Sequence, residues 1–226
     1  MKRWECLICA CLAVVIAQHG RSNAMEPVCA SADCVNLVFD GDSISAGAGS
    51  TQGHGLDAQV AETVGSNVRS NNVAVGGRPV SDCLRLYPKL VAPLFSPASH
   101  HNVIVFHAGD NDIAQGRDAA QTYAAFTAYV SMAHQQGWKI VVSTELRSPH
   151  FPPSQEAQLE QYNDSLRQNR AGADAVVDFD TDARLTTMSN RFDPSMFKPD
   201  GLHPTDAGYA ILTQMLAPAV RRVAGR

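Results

Sequence analysis

A chain of 226 residues suits one medium-sized domain with a substantial core, not a string of modules. Its 18 Lys and Arg against 22 Asp and Glu give a formal charge of −4, so it has no basic surplus for nucleic acid or an anionic membrane surface.

Residues 1–24 read as a secretory signal. Lys2 and Arg3 precede an apolar run from Cys6 to Ala17 that is too short to span a bilayer, and Ser22-Asn23-Ala24 places small residues at both signal-peptidase positions. Residues 25–226 then form the mature single domain, secreted or periplasmic. Removing three bases (Lys2, Arg3, Arg21) and one acid (Glu5) leaves 15 basic and 21 acidic side chains, a formal charge of −6. In an oxidising compartment Cys29 pairs with Cys34 by proximity, and Cys83 is left as a buried thiol.

Val35 to Phe39 has a buried strand's length and composition, broken by Asp40-Gly41-Asp42. Leu56 to Val64 is a short helix closed by Gly65, Asn67 to Val75 a second strand, and Pro79 to Leu94 an irregular helical crossover. Val103 to Phe106 makes a third strand. Ala119 to Gln136 repeats apolar residues at helical spacing until Gly137 stops it, and Ile140 to Val142 is a fourth strand. The proline-rich stretch Ser148 to Pro153 is irregular, Ser154 to Arg170 is a polar amphipathic helix, and Ala175 to Asp178 is a fifth strand. Residues 181–204 read as mostly irregular, and Thr205 caps a last helix running to about Val223. Strands alternating with helices predict a mainly parallel five-stranded sheet in a three-layer α/β/α sandwich.

Three signals fall just after the first three strands: Ser43, Gly76-Gly77 and Asn111. In a parallel sheet these points share one edge, where open α/β sheets bind ligands. A serine there needs a base and an oxyanion site to act as a nucleophile. A glycine lets a backbone N–H approach a substrate, and Asn111 offers an uncharged N–H donor. The fourth signal is Asp200-Gly201-Leu202-His203: an Asp three residues before a His can bend back to accept from its Nδ1. Each of the four alone is equally a turn, a cap or a helix entry.

Together they resemble the SGNH (GDSL-type) hydrolases, and the resemblance covers the whole mature chain. Gly41-Asp42-Ser43-Ile44 is similar to the family's first block, Asn72 to Gly77 to the second, Gly109-Asp110-Asn111-Asp112 to the third and Asp200 to His203 to the last. The resemblance implies a flavodoxin-like SGNH hydrolase fold, with Ser43 as nucleophile, His203 as base and Asp200 as its orienter. It also implies oxyanion donors at Ser43, Gly77 and Asn111, with no metal and no organic cofactor.

Ala74 to Arg78 is further similar to the corresponding turn of rhamnogalacturonan-type acetylesterases, which points to short acyl groups on a polysaccharide or small-molecule ester. A lysophospholipase, a thioesterase or an acyltransferase would use the same residues, and an inactive carbohydrate-binding module on this fold is the alternative outside catalysis. Oligomeric state is not legible. Phe151, Phe192 and Phe197 are expected to line a shallow cleft. Asp42 is read as fixing its turn, His107 as a satisfied core histidine and His150 as a residue of the pocket rim. Asp178, Asp180 and Asp182 read as a solvated acidic loop, because Ala183 and Ser189 spoil a calcium pattern. His100-His101 reads as surface.

Overall fold

The computed structural model describes residues 28–187 and 190–226, so the expected signal at residues 1–24 and the Ser189 position lie outside the described residues. Five strands, β1 (Val35–Gly41), β2 (Val68–Asn72), β3 (His101–His107), β4 (Lys139–Ser143) and β5 (Ala175–Val177), pair in parallel in the order β2-β1-β3-β4-β5. The register sets Phe39 beside both Asn72 and Val105, and Phe106 beside Val142, so the strands end close together at their carboxyl edge.

Alternate residues of each strand feed two cores. Val35, Leu37, Phe39, Val103, Val105 and Val141 pack under α1 (Leu56–Val64) and the long carboxy-terminal helix, which spans Asp206–Val223. Val38, Ile104, Phe106, Ile140 and Val142 pack on the other face under three helices: α2 (Val80–Leu90), one spanning Ala119–Gln136 and one spanning Pro153–Gln168. A strand with both faces covered reads as a continuous apolar run, which is why β1 and β3 stood out in the sequence. Leu37, Val38 and Phe39 are each fully buried, and each contributes roughly 1.5–3 kcal/mol of hydrophobic stabilisation.

Numbered in chain order, the helices are α1, α2, a short α3 (Asp110–Ala114), α4 (Ala119–Gln136), α5 (Pro153–Gln168), a single turn α6 (Ala183–Thr186) and α7 (Asp206–Val223). Their ends obey capping rules. Asp118 and Gln121 form a reciprocal capping box at the start of α4, Gly137 ends it in the left-handed region, and Thr205 accepts from the Gly208 N–H at the start of α7. Pro153 opens α5 at its first turn, where a missing N–H costs nothing, so that helix begins one residue earlier than the sequence reading placed it. Strand β2 also ends sooner than expected, at Asn72. Beyond it the chain stays extended for a few residues, with Val73 N–H and Val75 N–H donating to Phe39 O and Gly41 O at 2.8 and 3.1 Å, and then turns.

The first crossover places β2 on one side of β1, and the chain then crosses back to place β3 on the other. Helices therefore leave the sheet in opposite directions between β1 and β3, and a crevice opens at that switch point. A disulfide joins Cys29 and Cys34, with Cα atoms 5.6 Å apart, at the opposite end of β1, and Cys83 is a buried free thiol. No helix among the described residues is long and apolar enough to cross a membrane.

Candidate active site

Four loops meet at the carboxyl edge of β1 and β3. The first leaves β1 through Gly41, at φ +139°, where a Cβ would run into the His107 carbonyl oxygen, so only glycine lets the two strand ends approach this closely. Asp42 then accepts the Ile44 N–H on Oδ1 at 2.9 Å, which fixes the turn as its sequence suggested and leaves Ser43 half-buried at the rim.

The loop before α7 brings in the other two groups. Asp200 Oδ1 accepts from the N–H groups of Leu202 and His203 at 2.9 and 3.0 Å, and its second oxygen, Oδ2, lies 2.8 Å from His203 Nδ1. His203 Nε2 lies 2.9 Å from Ser43 Oγ. Burial opposes ionisation of Asp200, but the hydrogen bonds from the His203 ring and from the two backbone N–H groups outweigh it and hold the carboxyl below the usual range. An ionised Asp200 only accepts, so Nδ1 carries the proton and Nε2 presents its lone pair to the Ser43 hydroxyl. Such a relay can deprotonate a serine as it attacks a carbonyl.

The other two loops bring donors. Asn111, in the first turn of α3, donates one Nδ2 hydrogen to Asp110 Oδ1 at 2.7 Å. Gly76 packs against Ser43, whose Cβ would stand 3.6 Å from a Cβ at that position, and Gly77 sits at φ +78°. Asn72 ties this second loop to the first: its Nδ2 donates to Ser45 O at 2.8 Å and its Oδ1 accepts the Ala74 N–H at 3.0 Å. Asp112 ties α2 to α3 by accepting the Val80 N–H on Oδ2 at 2.7 Å. All five residues singled out in the sequence, Ser43, Gly77, Asn111, Asp200 and His203, therefore converge on one edge. An open depression of about 380 Å³ lies beside the turn, lined by Val75, Gly77, Pro79, Leu86, Leu90 and Gln115.

Beneath the site lie groups that the sequence did not flag. Arg78, 5% exposed, donates to Asp40 Oδ1 at 2.7 Å, to Gly41 O and to Val73 O, and Tyr129 O–H donates to Asp40 Oδ2 at 2.8 Å. Arg78 thus bolts the Gly76-Gly77 turn to the end of β1. Burial pushes the Asp40 carboxyl up, and Arg78, Tyr129 and the Gly41 N–H pull it back. Glu145, just past β4, is also fully buried; a lone Glu in an unremarkable loop sequence gave no signal of it.

Four expectations need correction. Phe197 does not line the cleft: it is 1% exposed, beneath the Arg191 guanidinium at 4.4 Å, while Phe192 is exposed and Phe151 half-buried. Asp178, Asp180 and Asp182 are not a solvated loop. Asp178 and Asp180 bind Arg167 and Asp180 also binds Arg147, arginines distant in sequence, while Asp182 binds the nearby Arg184. His107 is in the core, with Nδ1 2.8 Å from Ser143 Oγ, but its Nε2 lacks a hydrogen bond. His101 is not a surface residue but opens β3, half-buried, while His100 is exposed. His150 does reach the site loop, with its Nε2 2.6 Å from the Asp200 carbonyl oxygen.

A five-stranded parallel sheet with helices on both faces is an α/β hydrolase fold, and the comparisons with known proteins agree. The model of the GDSL-like lipase/acylhydrolase family matches residues 39–211. The chain belongs to that family and is a carboxylic ester hydrolase. No curated protein matches it. Among solved structures it is similar to a lipolytic G-D-S-L family protein from Veillonella parvula, at 21% identity and TM-score 0.64 over 84% of this chain and 98% of the other. It is also similar to a psychrotrophic esterase from Pseudoalteromonas, at 16% identity and TM-score 0.66 over 84% and 100%. A third likeness is to an acetyl xylan esterase from Geobacillus stearothermophilus, at 18% identity and TM-score 0.59 over 83% and 96%.

Proposed function

We propose that this protein is a secreted serine esterase that removes short acyl groups, acetyl above all, from the hydroxyls of a polysaccharide through an acyl-enzyme. The observation that carries the chemistry is the unbroken relay from Asp200 Oδ2 through His203 to Ser43 Oγ, with contacts of 2.8 and 2.9 Å. Ser43 Oγ attacks the ester carbonyl while its proton passes to His203 Nε2, and Asp200 stabilises the imidazolium. The N–H groups of Ser43 and Gly77 and the free Nδ2 hydrogen of Asn111 hold the tetrahedral oxyanion. Collapse expels the sugar alkoxide, which takes the proton from Nε2. Water, deprotonated by the same nitrogen, attacks the acyl-enzyme; collapse breaks the acyl–Oγ bond, Ser43 Oγ takes the proton back from Nε2, and the acid leaves.

The short-acyl reading rests on the openness of the depression beside Gly77 and on the exposed ring of Phe192, which packs against Gly201 between the base and its orienter. An acetyl xylan esterase among the structural neighbours is consistent with it. Secretion rests on the leader-like residues 1–24 and on the Cys29–Cys34 disulfide, which persists in oxidising compartments. A second reading, a lysophospholipase or thioesterase, draws on Val75, Leu86 and Leu90, which offer apolar lining to a longer chain.

A panel of p-nitrophenyl esters separates the two. A true acyl groove gains roughly 0.8 kcal/mol, close to fourfold in kcat/KM, for each methylene it buries. The expected profile peaks at acetate or butyrate and falls by octanoate, whereas a steady climb to eight carbons promotes the second reading. In the same assay Ser43→Ala, folded by circular dichroism, should lose on the order of 10³-fold or more in kcat.

A further inference from the structure

The groups buried under Ser43 and Asn111 hold more ionisable chemistry than the relay uses. Asp42 follows β1, His107 ends β3, Asp110 opens α3 and Glu145 follows β4, and they are 0%, 0%, 7% and 1% exposed. One ligand atom each from Asp42, His107 and Glu145 lies within 4.8 Å of the other two. The His107 ring is held on one side by Ser143, and its Nε2 faces Glu145 Oε2 at 3.3 Å. Glu145 is clamped by Asn163, which accepts its N–H at 2.8 Å and donates to its carbonyl at 2.9 Å.

These groups want for donors. Asp42 Oδ2, His107 Nε2 and both Glu145 carboxyl oxygens are buried without a hydrogen bond. The nearest cations are engaged elsewhere: Arg78 with Asp40, and Arg117 at the far side of Asp112. Three ionised carboxylates in this space would each carry a desolvation cost of several kcal/mol and would repel one another. They would also repel the oxyanion forming just above them.

We propose that the missing donor is a proton: Glu145 is held as the neutral acid, its O–H donating to His107 Nε2. Nδ1–H of His107 then donates to Ser143 Oγ, and the floor of the site carries one negative charge fewer. The inference rests on the reading of Asn111 as an oxyanion donor, since Asp110 accepts one of its two Nδ2 hydrogens and so aims the other. Asp110 and Glu145 are positioning residues.

The electrostatics agree. Burial first, then the charges of Asp42 and Asp110, raise the Glu145 carboxyl well above its usual range, against a smaller pull from the nearby Asp110 N–H. Burial and the facing Asp110 raise Asp42, burial raises Asp110, and burial pulls His107 down to about 3, so its ring is neutral. The other titratable groups that face the network are Cys83 on α2, Asp112 on α3, Tyr162 on α5, Tyr209 on α7 and His203.

Infrared difference spectroscopy of the intact protein against Glu145→Gln tests the protonation directly. At neutral pH the wild type should show the carbonyl stretch of a protonated carboxylic acid, shifted in D₂O and diminished in the variant. Glu145→Gln, whose amide N–H replaces the O–H donor to His107, should keep kcat within about threefold and move the alkaline fall in kcat to higher pH. Glu145→Ala, folded by circular dichroism, should lose about tenfold in kcat with KM little changed. A wild-type spectrum without that band, a stoichiometric divalent metal in the purified protein by elemental analysis, or an alanine variant with wild-type kcat would each overturn the proposal. The band is read without substrate. If it is present while Asn111→Ala keeps full kcat, the Glu145 proton stands and the oxyanion assignment above it fails.

Discussion

At the scale of single residues, each proposed catalytic group differs from its neighbours by one bond. Asn111 is joined to Asp110 at 2.7 Å through one hydrogen and has a second, which in the proposed mechanism meets the oxyanion. An interaction that strengthens only as the oxyanion forms acts on kcat. Asn111→Ala should therefore lower kcat by roughly 10²-fold with a smaller change in KM, as steady-state kinetics on p-nitrophenyl acetate would report. If KM rises and kcat holds, Asn111 binds substrate in its ground state. Glu145 gives a pH prediction of the opposite sign to the usual carboxylate. Its folded pKa is raised, so above its unfolded value the native state keeps a proton that the unfolded chain gives up, and stability falls as pH climbs towards the folded value. Gln cannot lose that proton. The Tm of Glu145→Gln relative to wild type should therefore rise from acid to neutral pH, and a difference independent of pH would count against a raised Glu145. Ser43 and Asn111 were legible because each sits in a short motif just after a strand, and Asp200 and His203 because they stand three residues apart just before α7. Glu145 was not: its burial is made by β3, β4 and α5 together.

At the scale of elements, the Gly76-Gly77 turn shows how a flexible sequence becomes a fixed donor. Two glycines in succession give mobility, and the order comes from Arg78 reaching under the turn to Asp40, Gly41 and Val73. Arg78→Met would leave the buried Asp40 with only Tyr129 and the Gly41 N–H. Breaking a buried pair this way costs on the order of 3 kcal/mol, or about 10 °C in Tm for a domain of this size. Calorimetry should show that loss, and kcat should fall as well, because the turn is no longer held against Ser43. A stable variant with full activity would mean that the glycine turn is ordered by Asn72 alone. The aspartates after β5 make the converse point. The alternation looked like a solvated loop because the arginines that neutralise Asp178 and Asp180 stand at positions 147 and 167, before β5 in the chain, and only Asp182 has its partner, Arg184, nearby.

At the scale of the whole molecule, the disulfide and the site occupy opposite ends of β1. Cys29 O and Cys34 O accept from Ser96 and Ser99, both at 2.6 Å, so the disulfide secures the amino-terminal lead-in against the segment before β3. Closing so short a loop contributes about 2 kcal/mol in the chain-entropy account. The double variant Cys29→Ser/Cys34→Ser should therefore lose about 4–8 °C in Tm and keep wild-type kcat, because nothing it touches reaches the carboxyl edge. An equal loss of kcat would show that the lead-in segment transmits strain along β1 to Ser43.

The sequence by itself determined the five strands, most helix limits, the parallel α/β architecture and the four motifs. These depend on short-range periodicity, on turn residues and on spacings a few residues wide. The tertiary structure alone decided what lies beneath the motifs and between the loops. It placed Phe197 under Arg191 and left Phe192 in the open, turned the acidic loop into an ion-pair lattice, and buried Asp42, His107 and Glu145 together, each with an unmet hydrogen bond. A side chain's solvation and charge depend on neighbours brought from β1, β3, β4 and α5 at once, and no local pattern in the chain encodes that meeting.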